Sequence, residues 1–505
     1  MESRFYEMIS NPGVLDLAAI PVLEYRIFMS TLNELMNSGS THCLSYFAIP
    51  EIAHFRFICC IADDSTGKTY ILSHEQSREQ GLVLESLTST YFPLHIFERE
   101  IHEDHGVGFS GHPWMKPVRY PTVRSDKTQE MDNYPFYKIE GEELHEVGVG
   151  PIHAGVIEPG YFRFICNGEN VLHLEVQLGY QHRGVEQLFI TEGSGLRKII
   201  LSENIAGDTT IGHSLCHAQL VESLADIRVS TSLETERIIA LELERIAIHI
   251  GDTAALCADI AYQFGQVVNE ALRTIVINTM QQWCGNRFGK GLVRTAGSHY
   301  PITSTISAIL LSNLKEVEER YLLMADEMFS RPSVLSRFES TGIVTLHQAE
   351  LIGAVGMAAR SSGMKRDTRG SHPFQAFRRM KYEPPILPQG DVWARAMLRK
   401  QEVEESIRII RGLLAEYEGR ETVEKPQPES ILHPSSLAIS MTEGWRGEIV
   451  HIAVTDEKGR IIYYKVKDPS LHNWMALALA VRNQEISDFP LINKSFNLSY
   501  CGNDL

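Results

Sequence analysis

The apolar positions change their period along the chain, and the changes mark out the elements. Phe55-Arg56-Phe57-Ile58-Cys59-Cys60-Ile61 is a nearly continuous apolar run of strand type. The polar turn Asp63-Asp64-Ser65-Thr66-Gly67 follows it, and Thr69-Tyr70-Ile71-Leu72 returns as a second strand. Phe162-Arg163-Phe164-Ile165 and Val171-Leu172-His173-Leu174-Glu175 predict another hairpin, turning at Asn167-Gly168. From His213 to about Leu414 the pattern is helical. Ile239, Leu243, Ile246 and Ile250 recur at helical steps and form one apolar face, while Glu242, Arg245, His249 and Asp252 fall on another. That polar stripe reads either as an interhelix or intersubunit contact or as a solvated face. Val403, Ile407, Ile410 and Leu414 repeat the helical step, and long helices with short breaks predict a bundle. Near the end, Ile449–Thr455 and Arg460–Val466 flank Asp456-Glu457-Lys458-Gly459, a hairpin whose Gly459 can take positive φ.

These patterns divide the chain into a mixed α/β unit (residues 1–125), a polar and then acidic linker without sustained periodicity (126–149) and a larger unit (150–505) that opens at Gly150-Pro151-Ile152-His153. The expected class is α+β, with a central long-helix bundle and peripheral β-hairpins.

Composition narrows the function. A length of 505 residues with 43% hydrophobic and 9% aromatic content supports several buried cores. The net charge of −17 argues against nucleic acid as a main partner, because phosphate contacts need clustered Lys and Arg. The start, Met-Glu-Ser-Arg-Phe-Tyr-Glu-Met, lacks the basic-then-apolar layout of an export signal. No apolar run approaches the ~20 residues that span a bilayer. The eight cysteines form no C-x-x-C pair and are expected to be reduced and mostly buried. There is no Walker A motif, dinucleotide fingerprint or H-E-x-x-H.

Longer motifs carry a family resemblance. Glu98-Arg99-Glu100-Ile101-His102-Glu103-Asp104-His105-Gly106 with Gly111-His112-Pro113 resembles the signature of the 30 kDa subunit of respiratory complex I. Gly150-Pro151-Ile152-His153-Ala154-Gly155, Glu158-Pro159-Gly160-Tyr161-Phe162-Arg163-Phe164 and Gly179-Tyr180-Gln181-His182-Arg183-Gly184-Val185-Glu186 resemble the start of its 49 kDa subunit and of the large subunit of group 4 membrane-bound nickel–iron hydrogenases. Ala359-Arg360-Ser361-Ser362-Gly363 with Asp367 and Arg369, then Arg446-Gly447-Glu448, then Lys465-Val466-Lys467-Asp468-Pro469-Ser470 continue the likeness. The resemblance implies a 30 kDa-like domain fused to a hydrogenase large-subunit-like domain, as in the formate hydrogenlyase large-subunit type.

Two departures bear on chemistry. The segment 203–214, Glu-Asn-Ile-Ala-Gly-Asp-Thr-Thr-Ile-Gly-His-Ser, and the final Ser-Phe-Asn-Leu-Ser-Tyr-Cys-Gly-Asn-Asp-Leu resemble the two metal-binding ends of a nickel–iron large subunit. Ala206, Thr209, Ser499 and Gly502 stand where its four cysteines would be. A nickel–iron centre needs soft thiolates, so the resemblance implies no metal here. In complex I the same cavity is the quinone headgroup site, built on a tyrosine and the histidine of the loop matched by His182. Here Gly207 falls at the tyrosine position, so only His182 of that pair is present.

The candidate catalytic residues are therefore His182, as hydrogen-bond or proton donor to a headgroup, and Glu186, at the family's proton-transfer glutamate. The alternatives are a loop histidine bonded to backbone, and a salt bridge from Glu186 to Arg183 or a neighbouring subunit. His182, His213 and Arg446 are the candidate cofactor-binding residues. His213 is a candidate surviving second-shell group. Arg446 needs an anion, for which Glu186, Asp504 or a ligand could serve. Asp208 and Thr209 are expected to cap the helix that starts near Ile211. His102, Asp104, His105 and His112 resemble a ligand cluster, but the 30 kDa motif accounts for Asp104 and His112 structurally, and no metal is expected there.

The resemblance implies an oxidoreductase subunit of the NADH-quinone oxidoreductase-like or hydrogenase-like kind. It would bind no cofactor itself. It would cradle the iron–sulfur cluster of a small partner subunit, with a ferredoxin-like iron–sulfur subunit and integral membrane subunits as further partners, and it could pass electrons to a quinone-like carrier. It would lie in the cytoplasm, peripheral on the inner face of the membrane. The alternative is a non-catalytic coupling scaffold of such a complex.

Overall fold

The structure is a computed structural model and describes residues 5–153, 157–417 and 424–505; Ala154 and Gly155 of the Gly150 motif lie outside them. Strands Thr41–Pro50, His54–Asp63 and Lys68–Ser77 form an antiparallel meander, and Glu7–Ile9 and Val22–Leu23 add to the edge of Lys68–Ser77. The apolar run at 57–62 is continuous because both faces of its strand are covered. Phe57, Cys59 and Ile61 pack with Phe28 and Leu32 of helix Tyr25–Met36 and with Ile96 and Phe97 of helix His95–His105. Ile58, Cys60 and Ala62 face Leu437, Ile439, Val450 and Ile452 of a second sheet.

That second sheet contains the hairpin expected near the end of the chain. Ser436–Glu443, Glu448–Thr455 and Ile461–Lys467 are antiparallel, and Gly459 takes φ +74° in the turn. Its outer strand is Gly13–Asp16, which pairs with Ser436–Glu443 from the opposite end of the chain. The N-terminal residues therefore bind the C-terminal sheet through backbone hydrogen bonds, while their own five-stranded sheet packs on its face.

The second predicted hairpin is Tyr161–Asn167 with Asn170–Gln177, and Gly168 has φ +57°. It gains a third strand, Leu144–Val149, from the end of the segment read as a linker.

Four long helices form the bundle: Thr231–Asp259, Gln263–Cys284, Ser304–Ser330 and Val392–Ala415. Ser230, Thr303 and Asp391 start three of them by accepting from the free N–H groups of Leu233, Ile306 and Ala394. Ile239, Leu243, Ile246 and Ile250 meet Val276, Leu310, Val403, Ile407 and Ile410 in one core, as their spacing predicts. All eight cysteines are free and buried. Among the described residues, no helix is long and apolar enough to cross a membrane.

Candidate functional site

The tertiary structure brings segment 203–214 and the C-terminal segment together against the loop 179–186. Arg183 does much of this locally: its guanidinium donates to the carbonyls of Asn204, Ile205 and Cys501 at 2.7–3.1 Å. The Asp504 carboxylate accepts from the Gly179 and Gln181 N–H groups at 2.8 and 2.9 Å. The His182 Nδ1–H donates to the Asp504 carbonyl at 2.8 Å. His182 is half-buried, and this backbone bond orients its ring with one nitrogen engaged.

Glu186 lies one helical turn further on, in helix Val185–Thr191, with its side chain 25% exposed. Its partner is not Arg183. Its carboxylate accepts from the Val466 N–H at 2.9 Å and from Lys465 Nζ at 3.1 Å. Lys465 also reaches Glu100, at 2.9 Å, in helix His95–His105. One ammonium thus ties the N-terminal unit to the site loop. In the sequence Lys465 stands out only as part of a motif, and no local signal points to this role.

Ala206, Thr209, Ser499 and Gly502 are all buried. Ser499 caps the short helix Tyr500–Asp504, accepting from the Gly502 N–H at 2.9 Å. A Cβ on Gly502 would lie 2.6 Å from both Cγ and Oδ2 of Asp468 and 2.9 Å from Ser499 Oγ. The Asp468 carboxylate therefore fills the space a side chain at 502 would occupy.

Asp468 begins a buried polar chain. His213 Nε2 is 3.1 Å from Asp468 Oδ2, and His213 Nδ1 is 3.1 Å from His451 Nε2. The Tyr464 hydroxyl sits 2.7 Å from both His451 Nδ1 and His217 Nδ1. One consistent assignment runs in a single direction: His217 donates to Tyr464, Tyr464 to His451, His451 to His213, and His213 to Asp468. Every imidazole in it is neutral. Burial supports that state by pulling His217 down to about 3 and His451 well below the ordinary histidine range. The hydrogen bond from His213 and the nearby Arg446 guanidinium hold Asp468 low despite burial.

Arg446 finds its anion in Asp208, not in Glu186 or Asp504. Nη1 and Nη2 donate to the two carboxylate oxygens at 2.7 and 2.6 Å, and Nε donates to the Asn497 carbonyl at 2.5 Å. The guanidinium stacks 4.0 Å from the Trp445 ring centroid. Because Asp208 is engaged here, it does not cap the helix Thr210–Leu224, and Thr209 makes no side-chain cap bond either. Glu244 of the neighbouring long helix does the capping, accepting from the Ile211 and Gly212 N–H groups at 2.7 and 3.1 Å. Burial pushes Glu244 up to about 8.

The Glu242–Arg245–His249 stripe resolves as an interhelix contact within the chain. Arg245 bonds Glu242 at 3.0 Å and Glu402 at 3.2 Å, and donates to the Glu443 and Gly444 carbonyls beside Trp445. His249 bonds Glu402 at 2.7 Å. Arg360 and Arg369 of the predicted motif join through Asp367, Glu402 and Glu443. All of these side chains are buried. Asp252 pairs instead with Arg399, at 2.9 Å.

The four residues of the histidine-rich motif disperse. His102 and His105 bond the Val107 and Ala48 carbonyls, and His112 accepts from the Trp114 N–H. Asp104 is exposed. Among the described residues, no group of three His, Cys, Asp or Glu side chains has metal-holding geometry.

Two packed sheets, a long-helix bundle and a buried junction between the helix start at 210 and the C-terminal helices make up the main body of the described chain. Residues 266–504 match the family model described as respiratory-chain NADH dehydrogenase, 49 Kd subunit. The carbon monoxide-induced hydrogenase of Rhodospirillum rubrum is 29% identical over 357 residues, 70% of this chain and 97% of the relative. An NADH-quinone oxidoreductase subunit of Dehalococcoides mccartyi is 28% identical over 367 residues, covering 70% and 96%. A chain of the membrane-bound sulfane sulfur reductase, an archaeal respiratory membrane complex, superimposes with TM-score 0.66 at 20% identity, covering 73% of this chain and all of that one. The homologues are thus hydrogenase large subunits and complex I subunits, and the matched part of the chain has a hydrogenase large-subunit-like and 49 kDa-like fold.

Proposed function

We propose that this chain is a subunit of a membrane-bound respiratory assembly of the complex I-like or hydrogenase-related kind. It docks peripherally beside a partner's iron–sulfur cluster and the membrane subunits, and its own centre acts as a coupling scaffold that binds no metal. The observation that carries this reading is the Asp468 carboxylate at the position a side chain on Gly502 would need. Asp208 on Arg446 and Asp504 on the 179–182 loop support it, because each spends a polar group on internal structure. The Glu100–Lys465–Glu186 bridge supports coupling, since one ammonium joins the N-terminal unit to the site loop.

A second reading keeps electron transfer to a quinone-like carrier. It draws support from His182 and Glu186, which both remain partly exposed, so a carrier could react between them and the partner subunit. Turnover of the assembled complex with His182→Ala and with Glu186→Gln separates the two. A positioned acid–base group contributes ~10²- to 10⁴-fold to rate. Near-normal turnover in both variants is the expected result for the scaffold. A loss of that size, with assembly intact, overturns it in favour of the carrier.

A further inference from the structure

A large concavity borders the junction described above, sharing Asn503 of the helix Tyr500–Asp504 with it. This pocket of about 880 Å³ opens where the N-terminal unit, the 134–137 segment, strand Asn170–Gln177 and helix Ser470–Ala480 meet. Its volume falls in the range of small-molecule sites rather than of a flat protein interface. The walls are apolar and come from separate segments: Phe92 and Trp114 on one side, Leu351 on another, and Trp474, Met475 and Leu479 on the helix. Leu351 is 50% exposed, a cost that an occupant would remove.

The polar groups at this pocket are of one sign in excess. In a chain of net charge −17, Arg99, Lys116 and Arg482 line it against the single carboxylate of Glu175. Lys116 and Glu175 neutralise each other. Arg99 gives Nε and Nη2 to the Lys116 and Pro117 carbonyls at 2.7 and 2.8 Å, and its guanidinium stacks 4.7 Å from the Trp114 ring. Those carbonyls hold the side chain in place, and the carboxylates of Glu103, Glu100 and Glu175 act on its charge without an ion-pair contact. Arg482 is exposed at the rim, and its side-chain partner there is His173 Nδ1, at 3.4 Å. Neither arginine forms an ion pair among the described residues. An apolar slot with two guanidinium groups outside any ion pair matches a molecule with an apolar tail and an anionic head that a guanidinium can grip.

We propose that this pocket binds a long-chain fatty carboxylate, with the tail along Trp474, Met475 and Leu479 and the carboxylate toward Arg99 and Arg482. Two of the five tryptophans, Trp114 and Trp474, line the pocket and report on it. The test is fluorescence titration of the full-length chain with dibromostearate, whose bromines quench only nearby indoles. The expected result is saturable quenching at one equivalent, much of it removed by Trp474→Phe and none by Trp283→Phe. Arg482→Gln, an exposed change that leaves the fold alone, should weaken dibromostearate about tenfold by removing a charge-assisted contact. It should leave the methyl ester of the same probe unchanged. Leu479→Glu should abolish binding by setting a like charge in the wall, with the thermal transition checked in parallel. The proposal is overturned by non-saturable quenching, by equal affinity for the acid and its ester, or by displacement of the probe with a lysophospholipid but not with stearate. Binding that is lost whenever the chain is in its assembly would also overturn it, since a partner subunit would then be the occupant.

Discussion

Arg446 closes on Asp208 as a two-pronged pair, at 2.7 and 2.6 Å, with its guanidinium plane laid against Trp445. The arginine is 4% exposed and the aspartate 35%, so the pair is shielded on one side only. A buried cation without its partner costs about 3–5 kcal/mol, and solvent at Asp208 reduces that here. Asp208→Asn should therefore destabilise the chain by roughly 1–3 kcal/mol. Adding Arg446→Leu should recover part of the loss. Urea unfolding of the two single variants and the double variant checks this as a coupling energy.

Gly502→Ala tests the filled position directly. The added Cβ would meet the Asp468 carboxylate at 2.6 Å, and the carboxylate is held by His213 at 3.1 Å and by the Ser470 N–H at 2.8 Å. Overpacking of this kind costs about 1–3 kcal/mol. A lowered thermal midpoint is expected. An unchanged midpoint would mean that the carboxylate yields freely, and would weaken the scaffold reading.

Glu402 is the hub of the buried network and bonds Arg245, His249 and Arg360. Glu402→Gln keeps the volume but removes the charge that compensates the guanidinium groups. The expected loss is about 3–5 kcal/mol, read as poor soluble yield and a shifted denaturant midpoint. His249→Gln should cost much less, since burial pulls His249 down to about 4 and its neutral ring carries no charge to replace.

Glu244 gives a pH signature. Burial raises its carboxyl from near 4.5 to about 8 in the folded chain. Between those values the unfolded chain releases a proton that the folded chain keeps, so stability is full below about 4.5 and is lost as pH rises toward 8. Denaturant midpoints measured from pH 5 to 9 should fall with pH in the parent chain. They should be flatter over that range in Glu244→Gln.

Much of the architecture was legible in the residue pattern. The apolar run at 57–62 fits a strand covered on both faces, and two helices on one side and the second sheet on the other provide the cover. The helical steps of Ile239 to Ile250 and of Val403 to Leu414 determined which faces meet in the bundle core. The residue types at 206, 209, 499 and 502 excluded thiolate chemistry at those positions without any coordinates. These are properties of local spacing and side-chain chemistry, which a sequence carries in full.

The pairing of charges was decided by tertiary structure alone. Arg446 could have met Glu186 or Asp504, but it took Asp208, 238 residues away, because the turn before helix Thr210–Leu224 lies under the Trp445 loop. Glu186 turned to Lys465, and the helix start at 210 took its cap from Glu244 rather than from Asp208 or Thr209. The same holds for Asp468, whose place beside Gly502 follows from the packing of the last strand against the C-terminal helices. A carboxylate answers any cation or N–H group within about 3 Å, and several of each compete for it along the chain. Only the packing of distant elements decides which of them comes within that distance.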